Sequence, residues 1–249
     1  MFPIRDDNPT LRTPVVTVGL IALNAAVWVL IQGMGTSPAL PRSVCELGLI
    51  PGEFLHRLPP GTEVSLGPYT RCILGAGPVW LTPLSSMFLH GGWFHLIGNM
   101  GFLWVFGNNV EDSMGHIRFV FFYLICGLSA AAAQIVVNPS STLPMVGASG
   151  AISGVMGAYI VLYPRVRVHM LIFLGIFITT VAVPAWMMLG YWFLLQILGG
   201  LPMLAKEPGG GTAFWAHAGG FVAGMVLIWL FRNRSLVAAR THSVRNTWQ

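Results

Sequence analysis

Charge is what this chain has least of. Only 8% of its 249 residues are charged, whereas a soluble domain carries about a quarter. Such a chain cannot cover a soluble surface. Acids are scarcer than bases, with 8 Asp and Glu against 13 Lys and Arg. No basic cluster is interleaved with aromatics on a polar face, so the net positive charge does not point to nucleic acid. Cysteine is nearly absent too: Cys45, Cys72 and Cys126 show no C-x-x-C or His-rich spacing, and neither a metal centre nor a cofactor is expected. Cys126 lies in an apolar run and reads as a small buried residue. Cys45 and Cys72 share one long polar loop and are a candidate disulfide if that loop faces an oxidising compartment. No internal repeat is evident.

What the chain has instead is long apolar runs. Hydrophobic residues make up 55% of it, and stretches near the ~20 residues that cross about 30 Å of hydrocarbon recur along its length. Each span must satisfy its own backbone hydrogen bonds, so an all-α, polytopic membrane bundle is expected. We read it as one membrane-embedded domain over 1–249, with spans near 13–32, 93–110, 117–137, 149–163, 183–204 and 214–231. Residues 13–32, preceded by Arg5 and Arg12, have the charge pattern of a signal peptide but a longer apolar core, and read as a retained span. Residues 33–78 form a long Pro- and Gly-containing loop carrying Arg42, Glu46, Glu53, Arg57, Glu63 and Arg71. The stretch 168–180 is apolar but short: a half-span, an interfacial segment, or part of a broken helix continuing past Pro184. Taken as a loop it leaves six spans, and as a span, seven.

Positive charge favours six. The tail 232–249 holds Arg232, Arg234, Arg240 and Arg245 and no acid, which assigns it to the cytoplasm. Six spans return Arg5 and Arg12 to that side and add Arg118, Arg165 and Arg167. The first loop, the uncharged 138–145 connection and the glycine-rich 206–212 connection then fall outside. Both termini are expected in the cytoplasm.

A strongly polar residue inside a span is a functional candidate by default. The second span carries His95 and Asn99, four apart and so on one helix face. The fourth opens at Ser149, and His217 lies about one turn into the last. A lone serine or histidine at a helix end is usually structural, but these four share one depth and one side. Ser149, Ser153 and Gly157 form a small-residue stripe, Gly150 and Gly154 make a G-x-x-x-G step, and so do Gly220 and Gly224. Small residues let membrane helices approach closely, and approach of these two spans would bring Ser149 beside His217. A serine beside an imidazole is an activated nucleophile. No carboxylate is placed to complete a triad. His95, Asn99 and the backbone of Ser149 can donate to an oxyanion.

These residues resemble the rhomboid family of intramembrane serine proteases. The resemblance rests on His90-x4-His95-x3-Asn99, Gly107-x3-Glu111-x3-Gly115, Gly147-x-Ser149-Gly150 and Ala216-His217-x-x-Gly220-x3-Gly224, in the family's order over roughly 80–230. It implies Ser149 as nucleophile, His217 as general base, and His95 and Asn99 at the oxyanion hole. It further implies His90 as a support of the second helix and first loop, and Gly147 and Gly150 as openings for a substrate backbone and for packing. The implied activity is endoproteolysis of membrane-anchored proteins in or beside their transmembrane helix, with the substrate helix unwinding to expose its carbonyl. Two positions depart from the family's pattern: Trp80-Leu81-Thr82 stands where many members have Trp-Arg, and Ser153 where many have an aromatic against the histidine.

Two other functions compete. A non-catalytic relative that binds or escorts transmembrane clients would ordinarily lack the serine or the histidine. A transporter would place polar residues near the midplane, with repeat structure. The expected partners are transmembrane substrates and the bilayer. With no Arg- and Ser-rich transit segment ahead of the first span, the expected location is a bacterial inner membrane.

Overall fold

Six helices of 14 to 22 residues dominate the fold in this computed structural model, which describes residues 2–67, 70–75, 77–174, 177–204 and 213–238. The 206–212 connection, Arg240 and Arg245 lie outside the described residues. In chain order the elements are β1 (Phe2–Asp6), α1 (Val15–Leu30), α2 (Ala39–Leu47), α3 (Pro51–Phe54), β2 (Glu63–Gly67), β3 (Thr70–Ile73) and α4 (Thr82–Ser85). There follow α5 (Trp93–Met114), α6 (His116–Val137), α7 (Ser149–Leu162), β4 (Arg167–Leu174), β5 (Phe177–Pro184), α8 (Ala185–Leu204) and α9 (Phe214–Phe231). The expected helical membrane bundle is observed. Helices α6, α8 and α9 are long and apolar enough to cross a membrane on their own, while α1 and α7 are shorter apolar helices.

The short 168–180 run is neither a half-span nor a broken helix. It forms the antiparallel hairpin β4–β5, and β1 adds to its free edge, giving the order β1-β4-β5. β-Branched residues such as Val168, Ile172, Ile178, Thr179, Val181 and Val183 explain the choice of strand. Pro184, which has no N–H to donate, stands where β5 gives way to α8. The first loop is also more ordered than its composition implies. A disulfide joins Cys45 in α2 to Cys72 in β3, over a small core of Ile50, Val64 and Leu74.

The ends of the helices sort into two sets. At one end Glu111, in the last turn of α5, accepts hydrogen bonds from the N–H groups of Val16 and Thr17 (2.9 and 2.8 Å) and from the Thr17 hydroxyl (2.7 Å). It thereby caps the N-terminus of α1, where a carboxylate complements the helix dipole. Asp112 accepts from Leu11 and Arg12, and the Asn233 N–H after α9 donates to the Ser113 carbonyl. At the other end the Gln32 side chain clamps the backbone of His90, donating to its carbonyl and accepting from its N–H, each at 2.8 Å. There too Leu49 bridges to Met145.

Helices α7 and α9 meet along glycine. A Cβ on Gly220 would strike the Gly150 carbonyl, one on Gly224 the Gly154 carbonyl, and one on Gly157 the Phe221 carbonyl. Backbone therefore lies on backbone, which is the contact that small residues permit in a membrane. Phe106, Phe119, Phe122, Tyr123, Tyr159 and Phe221 fill the interior around this pair.

Candidate active site

Helix α7 has 14 residues, about 21 Å at 1.5 Å each, well short of a ~30 Å hydrocarbon layer. A helix this short can start below one surface of such a layer, and its first residue, Ser149, lies at the floor of a cavity of about 530 Å³. That cavity is also lined by His95, Asn99, Gly147 and His217.

Ser149 Oγ lies 2.8 Å from His217 Nε2. The other imidazole nitrogen, Nδ1, is 2.9 Å from Gln196 Oε1 on α8, and the Gln196 amide nitrogen donates to the Trp192 carbonyl at 3.1 Å. The Trp192 ring lies 5.9 Å from the imidazole, tilted by 39°. Ser153, standing where the family pattern leads one to look for an aromatic, donates instead to the Ser149 carbonyl at 2.6 Å.

The histidine on α5 is fixed from the other side. The Gly91 N–H donates to His95 Nδ1 at 3.2 Å. A backbone N–H can only donate, so the His95 proton sits on Nε2. That Nε2 faces Gly147: a Cβ on Gly147 would lie 2.8 Å from it and 3.4 Å from Ser149 Oγ. The Asn99 side-chain amide nitrogen is buried with no hydrogen-bond partner, and Asn99 lines the same cavity. His95 Nε2 thus faces the space beside the hydroxyl, and the Asn99 amide lines the same cavity without a partner of its own. The first-turn N–H groups of α7 add to them, since the first intrahelical bond of this turn is donated by Ile152.

His90 lies behind this group, its ring edge-on to His95 with centroids 5.2 Å apart. Burial first, and the neighbouring His95 second, push the His90 imidazole down to about 3. It remains neutral and sets no cation behind the donors. Gly150 packs α7 against Ala130, and Gly220 and Gly224 hold α9 against α7. Glu111 is at the far end of α5, capping α1. Among the described residues no group of His, Cys, Asp or Glu could hold a metal ion.

Three participants escape a reading of the sequence alone: Gln196, Trp192 and Gln32. Gln196 carried a usable signal, being a strongly polar side chain in an apolar helix. Trp192 carried none, because aromatics are ordinary in such helices. Gln32 stands at the very end of the first run, where a polar residue is unremarkable.

The comparison with known proteins covers the same elements. A family profile described as the Rhomboid domain matches residues 78–234. The chain is 34% identical over 93 residues to RHOMBOID-like protein 5 of Arabidopsis thaliana, covering 37% of this chain and 30% of that protein. It is 38% identical over 99 residues to Rhomboid protease GluP of Bacillus subtilis, covering 39% of this chain and 18% of that protein. A longer match, to RHOMBOID-like protein 6, mitochondrial, of Arabidopsis thaliana, is 29% identical over 184 residues, covering 67% of this chain and 52% of that protein. The chain thus spans about half or less of the length of these curated relatives. The matched profile runs from just before α4 to just past α9 and takes in each side chain facing the cavity floor, so the chain belongs to the rhomboid family.

Proposed function

We propose that this protein is an intramembrane serine endopeptidase that cleaves membrane-anchored proteins in or next to their transmembrane helix. The observation that carries the reading is the 2.8 Å contact between Ser149 Oγ and His217 Nε2. Its support is the pair of donors, His95 Nε2 and the Asn99 amide, left facing the same cavity.

The steps follow from the geometry. His217 Nε2 accepts the Ser149 proton as Oγ attacks the scissile carbonyl. The oxyanion formed is met by His95, Asn99 and the N–H of Ser149, donors already fixed before the charge appears. His217 then returns the proton to the leaving amine, and water repeats the sequence to release the acyl group. The cavity wall includes Phe94, Gly98 and Phe102 of α5 and Trp192 of α8. Phe94 is 93% exposed, which leaves a lateral approach between these helices for a substrate chain. A helical substrate must unwind there, because its carbonyls are tied into the i to i+4 ladder. We further propose residence in a bacterial inner membrane with both chain ends in the cytoplasm.

The deciding experiment is fluorophosphonate labelling in detergent. The wild-type protein is expected to label covalently, and Ser149→Ala and His217→Ala are each expected to lose labelling by more than 10²-fold, as removing a nucleophile or its base does in soluble serine hydrolases. A folded wild-type protein that neither labels nor cuts a generic transmembrane substrate would instead favour a client-binding, non-catalytic relative.

A further inference from the structure

We infer that Gln196, on α8, is the positioning residue of the His217 base, standing where a triad would have its carboxylate; this rests on the protease reading above. A neutral imidazole carries its proton on one nitrogen, and only the tautomer protonated at Nδ1 leaves Nε2 free to take the serine proton. Nothing in histidine itself imposes that choice. The Gln196 amide does, because its own orientation is fixed. Its nitrogen faces the Trp192 carbonyl at 3.1 Å, and a carbonyl only accepts. The oxygen is therefore the end turned to His217, 2.9 Å from Nδ1, and an oxygen there requires a proton on Nδ1. A flipped amide could still donate to an unprotonated Nδ1, but its oxygen would then face the Trp192 carbonyl and lose the bond that fixes its orientation.

Burial strengthens the constraint. Gln196 is 8% exposed, so water does not compete well for either partner, and an unmet Nδ1–H would be left without a substitute. Trp192, one turn earlier on α8, lies against the imidazole ring. Both restraints on the base thus come from α8, the helix that also walls the cavity on its lateral side. The aromatic absent at Ser153 is thus supplied from a different helix, by Trp192, with the Gln196 amide added to it. A consequence is that the base is set only while α8 is seated on α9.

The test compares Gln196→Leu and Gln196→Glu with the wild type, using cleavage of a model transmembrane substrate together with ¹⁵N spectra of the histidine rings in detergent. Gln196→Leu is expected to lower kcat on the order of 10²-fold with KM unchanged. That is less than the ~10⁴-fold for a triad carboxylate, because an amide orients the ring without adding charge. Its His217 ring signals should shift from the Nδ1–H tautomer to a mixture. Gln196→Glu keeps an acceptor at Nδ1 and should recover most of the turnover and the single tautomer. The inference is overturned if Gln196→Leu retains wild-type kcat, or if kcat falls while the His217 tautomer is unchanged, which would mark a packing defect. Should the wild-type protein prove inert towards the serine probe, the protease reading falls and the catalytic role falls with it. The ¹⁵N spectra would in that case still tell whether Gln196 selects the tautomer.

Discussion

At the scale of single residues, the space beside Ser149 Oγ is held open by the absence of a side chain at position 147. Gly147 adopts φ +129°, a region that side-chain-bearing residues seldom enter, and a methyl group there would press on His95 Nε2. Gly147→Ala should therefore abolish fluorophosphonate labelling, by 10²-fold or more if it blocks both donors, while a thermal shift in detergent shows the protein still folded. Labelling at the wild-type level would mean that the oxyanion does not sit between His95 and Ser149. The polar residues at this site were legible in the sequence because a membrane makes each of them costly and therefore conspicuous. Their partners were less so. The tautomer of His95 depends on the Gly91 N–H, a backbone group that no residue pattern announces, and the orientation of Gln196 depends on a backbone carbonyl in the same way.

At the scale of elements, the alignment of Ser149 with His217, on which the proposed protease activity depends, is set by how closely α7 and α9 approach. Ser149 and His217 are on different helices, and their separation is set a few residues away by Gly150 against Gly220 and Gly154 against Gly224. Gly224→Ala would drive a methyl group into the Gly154 backbone, which cannot move aside as a rotamer would. A loss of about 1–3 kcal/mol or more is expected from such overpacking, read as a lower unfolding midpoint, together with weaker probe labelling as the dyad separates. Gly190→Ala on α8 is the matched control, since a Cβ there meets nothing within 4 Å. It should leave stability unchanged or raise it by up to about 1 kcal/mol. Equal effects at the two sites would show that helix propensity, and not backbone contact, governs these glycines. The i, i+4 spacing of small residues was visible in the sequence because helical periodicity exposes it. The β4–β5 hairpin was hidden because an apolar run bounded by membrane helices has the same composition whether it spans, lies in the interface or pairs with itself. What decides the matter is β1, which supplies a third strand from more than 160 positions away, and no local pattern carries that information.

For the whole molecule, the two sets of helix ends differ in charge, and that difference gives the protein a direction. One end gathers Arg5, Arg12, Arg118, Arg165, Arg167, Arg232 and Arg234, tied together by the Glu111 cap on α1, the β1-β4-β5 sheet and the Asn233–Ser113 bond. The opposite end holds the cavity mouth and the first loop, where Arg42 pairs with Glu46 and Arg71 with Glu63, so that its bases are largely offset by acids. In the proposed orientation the arginine-rich end is the cytoplasmic face, and the disulfide loop then lies on the side where disulfides persist. The Cys45–Cys72 bridge closes a 27-residue separation, for which the loop-closure estimate is about 3–4 kcal/mol. Composition alone allowed this bond but did not require it, because pairing depends on the folding of a loop with little local pattern. Both conclusions can be checked with one impermeant maleimide on intact cells. A cysteine introduced as Ser140→Cys, at the cavity end, should react at once, and one introduced as Arg234→Cys only after the membrane is opened. Cys45 and Cys72 should stay unreactive until reductant is added, with the buried Cys126 silent throughout. If the Arg234→Cys variant reacts first, the molecule lies the other way round in the membrane, and the serine at the cavity floor would meet its substrates from the cytoplasm.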